Sequence, residues 1–456
     1  MVVFSEVVDR ALNGPFAREK DFDQKMFMRK TAEVISKYGI KCDKNHPVPS
    51  DNDLADRVFQ AALDLYAEVG TYCIDSQRII LFSREEILEG LRDFNKQGRF
   101  GQGIDSKPFP RRTPESPIPP WCSVGACGGA VSSEEVFSSL MRGYASIPLA
   151  NSITTPSLMS VDGVPIRSKT PLELEGSIRT VLLSKQALQQ AGRAGIPIVN
   201  GVASASTDTA TIGADHFGLS TTDAWEISAI AEMKVDFSLL NKVAYLQRMG
   251  GQHWNATAPI MGGYAGGPEG AAIATAAYNI QAIMINKAEV HHPFSNHIRY
   301  LTNTGREMLW IASVSSQAIT RNSPLPLAAL CFAGAGPMTE MIFYEIAAWT
   351  LAAVTSGASI EVAAIAKNTV LDHTTPYEPQ FGTEVAHAIL GMERKEANEI
   401  CLKLVERYEE DLVHPPTGKK YQECFNVKDS TPTKEYRDFY KVVKKKTKDL
   451  GIPFKV

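Results

Sequence analysis

The chain has 456 residues, of which 44% are apolar and 21% are charged, a composition typical of a soluble globular protein. Its formal net charge of −4 gives no reason to expect a nucleic-acid partner. No apolar run approaches the roughly 20 residues that cross a bilayer, and Met1 is not followed by the basic and apolar regions of a signal peptide. We therefore expect a cytoplasmic protein that does not bind membranes.

The cysteine content argues against a structural metal. The seven cysteines are scattered along the chain without a C-x-x-C pair. Cys122 and Cys127 are close in sequence, but two thiols alone cannot complete a four-ligand zinc site. We expect reduced, mostly buried thiols and no bound metal.

Residues 1–120 are predicted to form an N-terminal accessory layer. Asp51 to Gly70 carries apolar residues at helical spacing and ends in a glycine, as amphipathic helices often do. The segment TYCIDSQRIILF predicts a strand, and Ser83 with Glu86 predicts a capping box at the start of the next helix. Residues 98–121 are rich in Gly, Arg and Pro, which indicates a loop and the best internal boundary.

Residues 121–415 alternate short apolar runs with longer helical ones. The predicted strands are YASIPLA, IPIVNGV, part of VDFSLLNKVAYL, APIMGG, AIMINKA and LAALCFAG. The predicted helices are LELEGSIRTVLLSKQALQQAG, DAWEISAIAEMK, PEGAAIATAAYNIQ, REMLWIASVSSQAI and GPMTEMIFYEIAAWTLAAV, with a last helix over 381–411. This alternation, without a G-x-G-x-x-G fingerprint after the first strand, predicts an α/β fold of the (β/α)₈ TIM barrel type. Residues 416–456 are predicted to form a helical tail that packs on the barrel, with a solvated basic face at KVVKKKTKDL.

The stretch from Gly250 to Gly270, GGQHWNATAPIMGGYAGGPEG, is the most glycine-rich of the chain. It predicts a short strand, a turn around Tyr264 and a helix that begins near Pro268. Loops that follow the strands of a parallel barrel carry the ligand site. The same glycines are also compatible with a tight loop that only permits close packing.

Glu226 is the first candidate for chemistry. It lies one turn into a helix predicted to begin near Thr222 and Asp223, so it could close a capping box with Asp223. Alternatively, it is a carboxylate at the top of the barrel that holds a cation or moves a proton.

A polar run follows the predicted strand AIMINKA: His291, His292, Asn296, His297 and Arg299. The histidine spacing does not match a helical metal motif, so zinc is not expected. His297 and Arg299 are candidates for hydrogen bonding or for orienting an anion, or else belong to a structural loop network.

Aromatic residues occur in the same predicted loops, at Trp254, Tyr264 and Phe332. Such residues commonly belong to a core. At the mouth of a barrel they can also enclose a cationic ligand.

Five separated motifs occur along the chain: Tyr72-Cys73 with Asp75 and Arg78, the block Gly262 to Gly267, His297-Ile298-Arg299, Gly336-Pro337 with Thr339-Glu340-Met341, and the tail GKKYQECFNVK followed by TPTKEY. Together they resemble the corrinoid-dependent monomethylamine methyltransferase family of anaerobic archaea. The resemblance covers nearly the whole chain and implies a homo-oligomeric (β/α)₈ barrel. It also implies transfer of a methyl group to cob(I)alamin on a separate corrinoid protein, with no cofactor bound by the chain itself.

The chain departs from this family at the predicted site. The family uses pyrrolysine as an electrophile that captures the amine, and the corresponding position falls near Ser206. The resemblance implies that Glu226 is retained, while Ala256 replaces an acidic residue, Leu330 a glutamine and Phe332 a tyrosine. The catalytic candidates are Glu226 and His297, and the substrate-binding candidates are Ser206, Asp208, Trp254, Asn255, Ala256, Tyr264, Arg299, Leu330 and Phe332.

These departures favour a donor that needs no electrophilic capture. A quaternary ammonium loses a neutral amine when its methyl group is transferred, so we expect a quaternary amine as methyl donor. The alternatives are a methoxy or methylthio donor, which would need an acid such as Glu226 or His297, and a non-catalytic homologue that binds a ligand or a corrinoid protein. A phosphate-binding lyase or isomerase is disfavoured because no lysine follows the glycine block.

Overall fold

A barrel of eight parallel strands forms the centre of the molecule. The computed structural model describes residues 2–94, 97–200, 207–365 and 370–454. The barrel strands are β1 (Cys122–Gly125), β2 (Ser152–Thr154), β3 (Ile198–Asn200), β4 (Ala224–Ser228), β5 (Gln252–Thr257), β6 (Val290–Pro293), β7 (Ala328–Ala333) and β8 (Ser359–Ile365). Strands that follow each other along the chain are neighbours, β8 pairs with β1, and a bridge between His291 and Leu327 joins β6 to β7. The predicted (β/α)₈ fold is confirmed.

Each barrel strand is followed by a helix on the outside. These helices are α1 (Glu134–Ala145), α2 (Pro171–Gln190), α3 (Asp208–His216), α4 (Phe237–Met249), α5 (Pro268–Gln281), α6 (Arg306–Asn322), α7 (Glu340–Thr355) and α8 (Tyr377–Ala388). Helix α5 begins at a proline, as the sequence predicts. Helices α5 and α7 are buried nearly all round, which explains why small and apolar residues occupy every face of them.

The N-terminal layer packs on one side of the barrel. Its helices are Phe4–Asn13, Glu19–Asp21, Phe22–Met28, Arg29–Tyr38, Asn52–Val69 and Arg84–Arg92, and Asn52–Val69 lies against α5 and α6. The predicted capping box is present, since Ser83 accepts a hydrogen bond from the Glu86 N–H and Glu86 accepts one from the Ser83 N–H. The hairpin of Thr71–Cys73 and Arg78–Ile80 pairs with Lys234–Val235, so this layer is joined to the barrel by backbone hydrogen bonds.

The segment predicted as a boundary loop closes the N-terminal end of the barrel. It contains the short ladder of Arg99–Phe100 and Lys107–Pro108 and a 3₁₀ turn at Gly103–Asp105. Phe100 and Phe109 are fully buried against Trp121 and Trp254, with ring centroids 5.3 to 5.8 Å apart. These four rings, the aromatic plug, fill the space where the strands begin.

The C-terminal tail packs across the barrel helices. Its elements are Arg394–Val405, Glu409–Val413, Tyr421–Cys424, the hairpin of Phe425–Asn426 and Thr431–Pro432, and Lys434–Asp449. The Tyr421 hydroxyl lies 2.7 Å from the Ser139 hydroxyl on α1, and the Tyr436 hydroxyl donates to the Glu378 carboxylate on α8. Both tyrosines are fully buried, so the tail is part of the fold. Three further two-stranded ladders lie outside the barrel: Ala130–Val131 with Ser157–Leu158, Ser160–Val161 with Val164–Pro165, and Ile260–Met261 with Asn296–His297.

Several element predictions were wrong. DAWEISAIAEMK contains strand β4 instead of a helix, VDFSLLNKVAYL contains helix α4, and AIMINKA forms the short π-helix Ala282–Asn286. YASIPLA begins inside α1. APIMGG contains the predicted strand, Ile260–Met261, but that strand lies outside the barrel, and the barrel strand of the glycine-rich region is QHWNAT. The segments of β1, β2, β6 and β8 were not predicted as strands, and the helix over 381–411 is two helices. Barrel strands are buried on both faces, so they lack the alternation that identifies half-buried strands.

None of the helices in the described ranges is both long enough and apolar enough to cross a bilayer.

Candidate active site

Glu226 lies in the middle of strand β4 and is 3% exposed. The capping-box interpretation is therefore wrong, because Glu226 belongs to no helix. Asp223 instead accepts hydrogen bonds from the Ile198 N–H and the Lys185 ammonium. Burial raises the pKa of the Glu226 carboxyl to about 7, so its charge changes near neutral pH.

A second buried carboxylate and a histidine complete a cluster with Glu226. Glu361 on β8 and His292 on β6 are both fully buried. The His292 Nδ1 atom lies 3.8 Å from a Glu226 oxygen, and its Nε2 atom lies 3.1 Å from a Glu361 oxygen. The imidazole thus stands between the two carboxylates, and we call these three residues the carboxylate–histidine cluster.

The polar atoms of this cluster are poorly satisfied. Within the described ranges, Glu226 Oε2 and both ring nitrogens of His292 make no aligned hydrogen bond, whereas the side chains of Ser123, Cys127 and Thr154 lie within hydrogen-bond reach of the Glu361 carboxyl. These atoms of Glu226 and His292 are therefore available to contact a ligand in the barrel.

Burial also sets the charge of the cluster. It lowers the pKa of His292 to about 3, so this imidazole is neutral at physiological pH. Burial, and then repulsion from Glu226, hold the pKa of Glu361 well above its usual range. The thiol of Cys127, whose pKa is raised by the same causes, is neutral as well.

Aromatic rings continue from the cluster along the barrel interior. Trp254, His292, Phe294 and Phe332 follow one another edge to face or tilted, with centroids 5.9, 6.0 and 5.5 Å apart. Trp254 belongs both to this wall and to the aromatic plug, so it forms the floor of the site. Aromatic faces beside a carboxylate are suited to an organic cation.

The remaining interior positions are apolar. Ala256 is fully buried, lies two residues after Trp254 on β5 and pairs with His292 on β6. Leu330 packs with Phe332, Phe294 and Cys127. The structure therefore brings together five of the sequence-predicted residues: Glu226, Trp254, Ala256, Leu330 and Phe332.

Three other predicted residues lie away from this cluster. Asn255 points out of the barrel, because successive strand residues alternate in direction, and its side-chain Oδ1 atom accepts from the Asn286 side-chain amide. Asp208 begins α3 and accepts from the Asn241 amide on α4. Tyr264 lies in the turn after the Ile260–Met261 strand and is 40% exposed.

His297 and Arg299 also lie apart from the cluster. The His297 ring stacks on Tyr300 at 4.1 Å, and its Nδ1 atom accepts from the N–H groups of Arg299 and Tyr300. His297 lines an outer cleft of about 380 Å³ together with charged residues such as Lys44 and Glu307. Burial lowers the pKa of His297. Its contacts with Arg299 and Tyr300 agree with the second alternative for this residue, a structural network within the loop.

Ser206, the predicted counterpart of the pyrrolysine position, lies outside the described residues.

Glu361 is not among the residues predicted from the sequence, and His292 is predicted there without a role. Glu361 is a single acidic residue in the apolar run SIEVAAI, and that contrast is the signal that could have identified it. No group of three or more metal-ligating side chains in the described part of the chain is placed to hold a metal ion.

The chain is similar to known proteins over nearly its whole length. A family model described as monomethylamine methyltransferase MtmB matches residues 2–452. Monomethylamine methyltransferase MtmB2 of Methanosarcina acetivorans is 33% identical over 448 residues, 98% of this chain and 97% of that protein. Monomethylamine methyltransferase MtmB1 of Methanosarcina barkeri is 32% identical over the same shares. The crystal structure of the Methanosarcina barkeri enzyme and that of a hydroxylamine MtmB complex both match with a TM-score of 0.94 and 31% identity, covering 99% of this chain and 98% of theirs.

Proposed function

We propose that the methyl donor of this protein is a quaternary ammonium compound. The chain belongs to the monomethylamine methyltransferase family, whose members are methyltransferases that act with a corrinoid protein. The acceptor is cob(I)alamin on the separate corrinoid protein. The C–N bond breaks, the nitrogen keeps the electron pair and leaves as a neutral amine, and the methyl carbon forms a bond with the cobalt.

The observation that carries this proposal is the pair of buried carboxylates without a basic partner. In the described ranges, Glu226 and Glu361 each contact the neutral imidazole of His292, and neither forms an ion pair with a lysine or an arginine. A buried negative charge without a partner is unfavourable, and a bound cation would relieve this cost. Each aromatic contact of the adjacent wall adds ~0.5–2 kcal/mol to the binding of an organic cation.

The apolar wall favours full alkylation of the donor nitrogen. A primary ammonium carries three N–H donors, and those that point away from the carboxylate–histidine cluster face Ala256, Leu330 and Phe332, whose side chains contain no acceptor. Each buried donor left without a partner costs roughly 1–3 kcal/mol. A quaternary ammonium has no N–H group, so the same wall costs it little.

A comparison of the methyl-transfer rates of different donors tests the proposal. Methyl transfer to cob(I)alamin on the cognate corrinoid protein is followed by absorbance with monomethylamine, betaine-type cations, tetramethylammonium and neutral methyl ethers at equal concentration. We expect transfer from at least one quaternary donor to be the fastest. Faster turnover of monomethylamine contradicts the proposal.

A methoxy or methylthio donor is the second candidate, because the cluster also contains an acid. A leaving oxygen or sulfur must be protonated, and burial favours the protonated form of Glu361. Activity with the ethers alone in the same experiment would select this donor.

Binding of a quaternary ammonium is expected to strengthen as pH rises. The pKa of Glu226 in the empty site is about 7, and its ionised form binds the cation. Acid converts Glu226 to the neutral form, so affinity falls as pH falls through this pKa, by about tenfold between about pH 8 and pH 6. Calorimetric titration near pH 7 in two buffers with different ionisation enthalpies should show proton release on binding. Equal affinity across this range would mean that Glu226 does not contact the cation.

A further inference from the structure

The carboxylate–histidine cluster contains two acids, and the proposed function requires only one negative charge. Glu226 and Glu361 face the same imidazole from opposite sides, at 3.8 and 3.1 Å. The neutral imidazole has one N–H group, so it can donate to one carboxylate only. The nitrogen on the other side is an acceptor and needs a partner that carries a proton.

The two acids differ in distance to the imidazole. At 3.1 Å, the Glu361 oxygen is within hydrogen-bond reach of Nε2, so a proton on Glu361 can be shared with that nitrogen. The Glu226 oxygen at 3.8 Å is beyond that reach but close enough for its charge to attract an Nδ1–H group.

The two acids also differ in their exposure to solvent, and the acid closer to the imidazole is the less exposed one. Glu361 is completely buried, whereas Glu226 retains 3% of its surface. The titratable groups that face Glu361 are Cys127 after β1, Glu226 on β4 and His292 on β6. None of these three supplies a positive charge, because the thiol and the imidazole are neutral. Hydrogen bonds with Thr154, Cys127 and Ser123 lower the pKa of Glu361, but burial and repulsion from Glu226 outweigh them, so the protonated form is favoured.

We propose that Glu361 keeps its proton and donates it in a hydrogen bond to Nε2 of His292, and that His292 directs its single N–H group, at Nδ1, to an ionised Glu226. Glu361 is then a positioning residue that acts through His292. The cluster carries one negative charge, on Glu226, which balances the single positive charge of the donor in the barrel. This inference deepens the proposed function and rests on it for the nature of the ligand. The location of the proton is a property of the ligand-free protein.

Infrared difference spectroscopy of the full chain tests the location of the proton without any ligand. Spectra of the parent, Glu361→Gln and Glu226→Gln are compared at about pH 8, above the pKa of Glu226. We expect the band of a protonated, buried carboxyl group to disappear in Glu361→Gln and to persist in Glu226→Gln. Loss of the band in Glu226→Gln, or its retention in Glu361→Gln, overturns the proposal. Glu361→Asp keeps the acid and should shift the band without removing it, which provides a second variant if Glu361→Gln does not fold.

Ligand binding provides a second readout. Glutamine resembles a protonated glutamate in size and charge, so tetramethylammonium should bind Glu361→Gln within about threefold of the parent. It should bind Glu226→Gln at least tenfold more weakly, a difference of ~1.4 kcal/mol. A tenfold loss in Glu361→Gln would assign the negative charge to Glu361 and refute the inference. If the parent binds no quaternary ammonium and transfers no methyl group from one, the proposed function fails, and the infrared result still decides the location of the proton.

Discussion

Replacement of Glu226 by glutamine is expected to weaken the binding of a quaternary ammonium ion at least tenfold, with little change in the stability of the fold. The side chain keeps its size and loses the negative charge that faces the barrel interior. A tenfold loss corresponds to ~1.4 kcal/mol, within the range for a lost hydrogen bond or contact to a charged group. Calorimetric titration above pH 7, where Glu226 is ionised in the parent, measures the effect directly.

The matched control for this variant is Asp208→Asn. Asp208 is another carboxylate that follows a barrel strand, but it contacts Asn241 on the outer ring of helices. Asp208→Asn should therefore bind the cation like the parent. Equal affinity of Glu226→Gln and the parent would limit Glu226 to a structural role.

Replacement of Glu345 by alanine is expected to destabilise the fold by at least about 3 kcal/mol. Glu345 is fully buried on α7, and its carboxylate accepts from the N–H groups of Gly334 and Ala335 and from the Thr304 hydroxyl, at 2.7, 3.0 and 2.6 Å. Alanine leaves these three donors without an acceptor, at roughly 1–3 kcal/mol each. Urea unfolding of both proteins, followed by circular dichroism, measures the change in the free energy of unfolding.

Glu340→Ala on the same helix is the control for this loss. Its carboxylate is partly exposed, accepts a hydrogen bond from the Tyr344 hydroxyl and pairs with Lys446 at the surface, where an ion pair contributes at most about 1 kcal/mol, so we expect a smaller loss than for Glu345→Ala. If the two variants lose the same stability, the donors after β7 are satisfied by water once Glu345 is removed.

The overall fold was predicted correctly from the sequence, whereas several of its individual helices and strands were not. The alternation of apolar runs with helical ones identified the (β/α)₈ barrel, yet Glu226 was assigned to a helix. The reason is physical: the segment AWEIS of β4 is buried on both faces, so its polar residue interrupts an apolar run without any period of two. Strand β5 shows the same problem, because polar residues such as His253 and Asn255 are buried on its outer face.

Only part of the predicted site lies in the barrel, and the outcome for each residue depends on how it was chosen. Residues taken from the family resemblance at interior strand positions, such as Glu226, Ala256 and Leu330, lie in the barrel. His297, chosen because it follows a predicted strand, lies in an outer cleft, since β6 ends at Pro293 and Asn296–His297 pairs with Ile260–Met261 outside the barrel. Glu361 could not be found from motif spacing, because it meets Glu226 and His292 only when the barrel closes.

The aromatic plug has a consequence for the order of events in turnover. Phe100, Phe109, Trp121 and Trp254 close the N-terminal end of the barrel, so we expect the methyl donor and the corrinoid both to approach from the C-terminal end. We expect a corrinoid protein seated over that end to cover the entrance. The donor would then enter before the partner docks, and the demethylated product would leave after the partner departs. Steady-state kinetics should show a compulsory sequence, in which an excess of the corrinoid protein slows turnover by occupying the empty barrel.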